Sequence, residues 1–397
     1  MNTSTARQEP SDFSLVLGGP LYQLFRRAHL SGSTLELLRR RIVFIALLAW
    51  LPLLFLSAVN GQLLGGTSAM PFLLDAEVHI RFLVAVPVLI GAELVVHRRL
   101  RLVPGQFLER HLIPEDARPR FDAALASLVR LRDSVLAELL LIAFVYGVGV
   151  LVVWRLYTIV DTNSWYTVPA AAGLRFSPAG IWYAYVSVPI FQFLLLRWIY
   201  RLFLWTRFLW QVSRIELNLV PTHPDRLGGL GFLSNTVYAF MPLAVAHGVA
   251  LAGMVANRIF HLGAALMSFK EEIAVVVVFV QCLVFTPLLM FSGQLARTKR
   301  TGRREYGTLA ERYTREFDTK WLRGGAPPGE SLMGSADIQS LADLGNSYEV
   351  VRGMRITPVT RELIILVAVA TLLPVAPLLL TMMPLEELIK KLFGVFL

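Results

Sequence analysis

The sequence predicts an all-α protein, a polytopic helical membrane bundle of about seven transmembrane helices with its N-terminus in the cytoplasm. Three observations carry that expectation. The chain of 397 residues is 55% hydrophobic and only 17% charged, where a soluble chain carries about 25% charged residues. Its mean hydropathy is +0.58, and the apolar residues gather into runs close to the roughly 20 residues that cross a bilayer as a helix. The arginines crowd into every second gap between those runs.

The first run, 42–59, follows a basic leader (1–41) and carries no small-residue cleavage site behind it, so it reads as a retained span rather than a signal peptide. The other runs are 80–96, 135–154, 180–200, 232–256, 273–292 and 362–383. The last is broken by Pro374 and Pro377, which leaves a re-entrant segment as its alternative. Arg39, Arg40 and Arg41 precede the first run, and no Arg or Lys lies between Asn60 and His79. Arg98, Arg99 and Arg101 open the next gap, and the one around Trp165 is almost uncharged. Arg201, Arg207, Arg214 and Arg226 follow the fourth run, and the long gap after the sixth is again rich in arginine. Positive charge is retained on the cytoplasmic side, so the alternation places the N-terminus inside and the C-terminus outside the bacterial inner membrane. The same rule absorbs the net charge of +10, which in a soluble chain would suggest a nucleic-acid partner and here does not.

The chain divides into the leader, a six-span bundle (42–293) with cytoplasmic loops 97–134 and 201–231, a cytoplasmic helical segment (294–361), and the seventh span with its tail (362–397). In 97–134 the spacing of Phe121, Ala124, Leu125, Leu128 and Leu131 predicts a helix running straight into the third span. In 294–361, Tyr306, Ala310, Tyr313, Phe317 and Trp321 share one helical face, read as a packing face. Gly324 to Gly329 break that helix, and Ser335 caps a second one expected to end near Gly345. Residues 384–393 have the apolar stripe of an interfacial helix.

The stretches His223-Pro224-Asp225-Arg226-Leu227-Gly228-Gly229-Leu230-Gly231-Phe232-Leu233 and Ala336-Asp337-Ile338-Gln339-Ser340-Leu341-Ala342-Asp343-Leu344-Gly345-Asn346-Ser347-Tyr348 resemble a family of uncharacterised bacterial multi-pass inner-membrane proteins. The layout from about Leu35 onward is similar as well. The resemblance implies the membrane architecture and brings no activity, cofactor or catalytic residue with it.

Polar residues inside the runs are the candidate site. His247 falls within the fifth span and Gln281 near the middle of the sixth, at a matching level. Ionisable groups at that depth mark pathways or hydrogen-bonded helix contacts. Glu93 and Glu138 lie about one turn from the same face of the membrane on adjacent spans. They read either as a cation or proton entrance or as partners of Arg98, Arg99 or Arg132. Arg197, Arg201, Arg207 and Arg214, interleaved with Trp198, Tyr200, Trp205 and Trp210, read as an interfacial belt meeting anionic lipid headgroups. Arg226, Gly228 and Gly229 precede a helix start whose free N–H groups suit a phosphate or carboxylate. Prolines 52, 87, 189, 242, 287, 374 and 377 fall within the runs, and kinks of that kind suit gating.

No HExxH, GxSxG or His-cluster motif is present, so an enzyme is the least favoured class, and neither metal nor cofactor is expected. The single cysteine, Cys282, forms no intrachain disulfide. Two functions remain open: a transporter or channel for a small solute or ion, or a sensory or scaffolding protein whose basic cytoplasmic face binds a partner or anionic lipid. A homo-oligomer or a cytoplasmic protein partner fits either.

Overall fold

The computed structural model of the chain describes residues 13–20, 22–23, 37–65, 70–150, 164–170 and 173–382. It is all-helical apart from one short hairpin, with 76% helix. Five helical stretches are long and apolar enough to cross a membrane: Leu38–Val59, Ala76–Glu109, Pro178–Val212, Leu230–Leu262 and Leu266–Leu289. They coincide with the first, second, fourth, fifth and sixth apolar runs. A bent pair, Arg361–Leu372 and Ala376–Met382, kinks by 61° where the prolines interrupt the seventh run. The third run appears as a shorter apolar helix, Val135–Gly149. Its expected remainder, like the expected tail helix at 384–393, lies outside the described residues.

In chain order the α-helices are α1 (Leu38–Val59), α2 (Ala76–Ile80), α3 (Val86–Leu100), α4 (Val103–Glu109), α5 (Arg118–Arg132), α6 (Val135–Phe144), α7 (Pro178–Trp182), α8 (Val188–Val212), α9 (Met241–Leu262), α10 (Lys270–Leu289), α11 (Ser292–Phe317), α12 (Ala336–Arg352) and α13 (Arg361–Leu372). Helix α9 lies at the centre, against α2, α3, α10 and α13. Its sequence explains the position. Ala244, Ala246, Gly248, Ala252, Gly253 and Ala256 give it a surface of small side chains, which lets neighbouring backbones approach closely in an apolar medium. A Cβ on Gly248 would lie 2.0 Å from the Thr371 carbonyl oxygen of α13. Only glycine permits that crossing.

The prolines act locally, through neighbours. Pro52 cannot donate to the Leu48 carbonyl one turn earlier, and the indole N–H of Trp182 donates to that oxygen instead, at 3.3 Å. Pro189 likewise frees the Tyr185 carbonyl, which accepts from the Tyr146 hydroxyl at 3.1 Å. Three of the apolar helices carry a π turn, at Arg81–Ala85, Val145–Val150 and Tyr183–Ser187. Arg81 donates to the Tyr183 hydroxyl at 2.8 Å, joining the first of these to the third.

Two local expectations change. The helix of 97–134 does not run into the third span. It stops at Arg132, and Ser134 starts α6 afresh by accepting from the Ala137 N–H at 3.2 Å. Ser335 does cap α12, accepting from Asp337 N–H at 3.1 Å, but the helix passes through Gly345 to Arg352. Packing carries it onward, since Tyr348 meets Gly307 and Val351 meets Gly302 on α11. The stripe on α11 is covered by α12, with the Tyr313 hydroxyl on the Asp337 carbonyl at 3.2 Å and the Trp321 indole on the Asp337 carboxylate at 3.0 Å. The almost uncharged gap around Trp165 holds an antiparallel hairpin, β1 (Thr167–Ala170) with β2 (Gly173–Phe176), which carries Arg175.

Candidate functional site

Antiparallel α1 and α3 put the start of one beside the end of the other, which brings Arg41 to Glu93. Helix α8 crosses the same level with Arg197 and Arg201 one turn apart, so both guanidiniums leave the same face. Arg201 Nη1 lies 2.9 Å from Glu93 Oε1 and Arg197 Nη1 lies 3.4 Å from it, while Arg41 Nη2 binds Oε2. Arg197 turns its other nitrogen, Nη2, toward Glu138 on α6 at 3.6 Å. Glu93, Arg41, Arg197 and Arg201 are 4%, 2%, 6% and 4% exposed. Those values place the charges inside the bundle, where a lone ion would cost several kcal/mol, of order, and each must therefore be paired. Trp198 stacks under Arg201 with the guanidinium 4.8 Å from its ring, and its indole N–H is held by the Leu89 carbonyl at 2.9 Å. That ring fixes the fork in place.

The N-terminal segment closes this cluster. Phe13, Ser14, Leu15 and Val16 are all buried. Phe13 packs on Trp205 and Phe208 with ring centres 6.4 and 6.5 Å away. Arg201 Nη2 donates to the Val16 carbonyl at 3.4 Å, Arg132 Nη1 donates to the Ser14 carbonyl, and the Ser14 hydroxyl meets His97 Nδ1 at 2.9 Å. A narrow crevice remains beside the segment, lined by Gly18, Arg132, Glu138, Arg197, Tyr200 and Arg201 among others.

Two sequence expectations are corrected here. Arg197 and Arg201 do not face lipid headgroups, because a carboxylate on the neighbouring α3 offers them a partner inside the bundle. Glu93 pairs with Arg41, Arg197 and Arg201 rather than with Arg98, Arg99 or Arg132. Helical spacing gives the face a side chain leaves from, and nothing about what the face meets. Of the remaining belt, Arg207 is half-buried and donates to the Ser127 hydroxyl at 2.9 Å. Arg214 is exposed and stacks on Trp210 at 5.2 Å.

His247 and Gln281 are not joined. His247 Nδ1 bonds its own helix at the Leu243 carbonyl, 2.7 Å away, with Phe279 beside its ring. Gln281 Nε2 donates to the Ile364 carbonyl at 2.8 Å, tying α10 to α13. Both read as helix contacts.

The turn of Arg226, Gly228 and Gly229 already holds an anion, and it is the chain's own. Asp225 Oδ1 accepts from Leu227 N–H at 2.7 Å and Gly229 N–H at 3.2 Å, and Oδ2 accepts from Gly231 N–H at 2.8 Å. The positive φ of Arg226 (56°), Gly228 (64°) and Gly229 (101°) points those N–H groups inward. Burial alone would push the Asp225 carboxyl up, but the three N–H donors and His223, 2.9 Å away, hold it below the usual carboxylate range. A phosphate would have to displace this carboxylate. Arg355 and Arg110 bond the turn's carbonyls and fix it to the neighbouring loops.

The opposite end of the bundle carries a second buried network that the sequence did not suggest. Asp75 caps α2 by accepting from Val78 N–H at 3.1 Å, and it accepts from the Trp165 indole at 2.9 Å. Phe72 and Trp165 meet edge to face, 5.1 Å apart. Trp50 donates to His79 Nδ1 at 2.9 Å, which leaves His79 Nε2 to donate to the Phe72 carbonyl at 3.1 Å. Among the described residues no group of three His, Cys, Asp or Glu side chains is placed to hold a metal ion.

No family model, curated protein or solved structure matches the chain.

Proposed function

We propose that this protein is an integral protein of the bacterial inner membrane, seven-spanning and with a cytoplasmic N-terminus, that works as a membrane-anchored binding or scaffolding protein engaging anionic phospholipid at its basic face. One observation carries this reading. Arg39, Arg40, Arg98, Arg101, Arg297, Arg300 and Arg304 are exposed and have no ion pair among the described residues. They share one end of the bundle. The pairing of Arg41 with Glu93 brings the start of α1 to the end of α3, and Gln294 on α11 donates to the Ser213 carbonyl just past α8. Arg297, Arg300 and Arg304 form one stripe on the first turns of α11. Each such arginine near an anionic surface contributes about 1 kcal/mol.

Transport of a small solute or ion is the second reading. The three π turns favour it, since such turns recur at functional sites and in helices that change shape. Against it, the polar side chains His247 and Gln281 bond to backbone and to helix neighbours rather than to each other.

The test is thermal unfolding in nanodiscs. Phosphatidylglycerol discs should raise Tm over phosphatidylcholine discs, and high salt should shrink the gain. Replacing Arg297, Arg300 and Arg304 together by Gln should remove roughly three sevenths of it. Equal stability in both lipids, with ion or solute flux in liposomes, would reverse the order of the two readings.

A further inference from the structure

Buried side-chain oxygens normally have a hydrogen-bond partner, and each exception calls for a water, an ion or strain. Among the described residues, the unpartnered oxygens on buried side chains are Ser57 Oγ, Gln62 Oε1 and Ser164 Oγ, at 0%, 3% and 1% exposure. All three lie at the Asp75 end of the bundle. The Gln62 amide donates through Nε2 to the Thr167 carbonyl at 3.2 Å, which fixes Oε1 as the buried acceptor. Ser164 is beside the same residue, its N–H donating to Thr167 Oγ1 at 3.0 Å. The Gln62 N–H in turn donates to the Ser57 carbonyl at 2.9 Å. Ser187 Oγ on the Ala49 carbonyl, at 2.6 Å, sets the register of α1 against α7 and α8. Ser57, roughly two turns beyond Ala49, therefore comes level with Gly180, against which the Tyr166 carbonyl packs.

We propose that Ser57 Oγ, Gln62 Oε1 and Ser164 Oγ bind one alkali-metal cation of the Na+ class, where α1, the segment after it and the hairpin meet. The donor set selects the class. Hard oxygens do not suit metals that seek thiolate or imidazole, and divalent ions such as Ca2+ are held by carboxylates, whereas all three of these ligands are neutral. A water would also satisfy the two hydroxyls, but the surrounding charge favours a cation. The buried carboxylate of Asp75 is bonded to the indole of Trp165, the next residue after Ser164. No Arg or Lys lies between Asn60 and His79, and Arg175 on β2 is exposed. The field in this layer is therefore negative, and it acts at short range in a medium of low dielectric. The ion ties the end of α1 to the hairpin, and it shares no residue with the basic face or with the Glu93 cluster.

The test is thermal unfolding of the full chain in phosphatidylcholine discs, which keep anionic lipid out of the measurement. NaCl is compared with choline chloride at fixed ionic strength, choline being too large to enter a buried site. Na+ should raise Tm over choline, and the gain should grow with the logarithm of Na+ concentration once the site fills. Ser57→Ala and Ser164→Ala each delete a direct ligand. Loss of an outer-shell partner already weakens metal binding by about 10–100-fold, so each should raise the apparent Kd for Na+ at least about tenfold. Ser187→Ala, on the same seam but bonded to the Ala49 carbonyl, should keep the Na+ response of the parent chain.

Gln62→Glu should change the response in the opposite direction. It places a charge on one ligand, so the apparent Kd for Na+ should fall and Ca2+ should begin to raise Tm. That variant decides the matter if both alanine variants fail to fold. Equal Tm in NaCl and choline chloride for the parent chain overturns the proposal and leaves the three oxygens to buried water. A Na+ response that Ser57→Ala, Ser164→Ala and Gln62→Glu all leave unchanged overturns it as well, because the ion would then act elsewhere.

Discussion

The two ends of the bundle solve one problem in opposite ways. Both bury a carboxylate on the same run of chain, Asp75 just ahead of α2 and Glu93 within α3, at 3% and 4% exposure. Glu93 is held by arginines from α1 and α8. Asp75 makes no ion pair among the described residues and is held by a backbone N–H and an indole N–H at the start of a helix, where the helix dipole already favours negative charge. Neutral donors are enough where the backbone supplies a positive field. At the helix interior no such field exists, and guanidiniums must come from other elements. The Glu93 end is therefore a tertiary construction, whereas the Asp75 end is largely local.

The largest expected effect tests that contrast. Glu93→Gln leaves Arg41 and Arg201 buried without their carboxylate, and breaking a buried pair from one side costs about 3–5 kcal/mol. Equilibrium unfolding in mixed micelles should show the loss, and Glu93→Gln combined with Arg201→Gln should restore part of it through coupling of the two sites. Additive losses would mean that the arginines are held by something other than Glu93.

That contrast also decides what could be read in advance. The long helices of the first, second, fourth, fifth and sixth apolar runs were legible because about 20 apolar residues have few alternatives. The seventh's break was legible in Pro374 and Pro377. The Ser335 cap and the α11 stripe were legible because helix starts and helix faces are local properties. The Glu93 partners were not. Arg197 and Arg201 have the spacing of one helix face, and only the packing of α8 against α3 decides that this face meets a carboxylate. Arg41 looked like one more charge in a basic leader. The Asp225 nest was half legible: the glycines marked the turn, but not that the preceding aspartate would fill it. The hairpin at Thr167–Phe176 had only a short run of β-branched and aromatic residues to announce it.

An intermediate effect belongs to the Asp75 end. Asp75→Asn keeps one acceptor oxygen and turns an NH2 group toward either the Val78 N–H or the Trp165 indole. The loss should be about 1.5–3 kcal/mol, the range for a hydrogen bond to a charged group. Trp165→Phe, which deletes the indole donor and keeps the ring contact with Phe72, should cost less than Asp75→Asn. A cost at Asp75 as large as that at Glu93 would erase the distinction between the ends.

The smallest effect separates the two carboxylates of the basic end by pH. Asp225 is held by backbone N–H groups and His223 below the usual carboxylate range, so its folded form binds a proton less readily than its unfolded form. The sign follows from linkage: the stability it contributes is fully present above the unfolded carboxylate pKa of about 3.9 and is lost as pH falls through the lower folded value. Acidification across that window should loosen the turn, seen as faster amide exchange at Leu227, Gly229 and Gly231. Asp225→Asn should give the loosened turn at neutral pH, with a stability loss of roughly 1–2 kcal/mol, and should flatten the acid dependence of those three amides. Exchange that is slow and pH-independent in both proteins would show that Arg110 and Arg355 alone hold the turn. The nest would then be vacant in its energetics, and a phosphate could enter it at no cost to the fold.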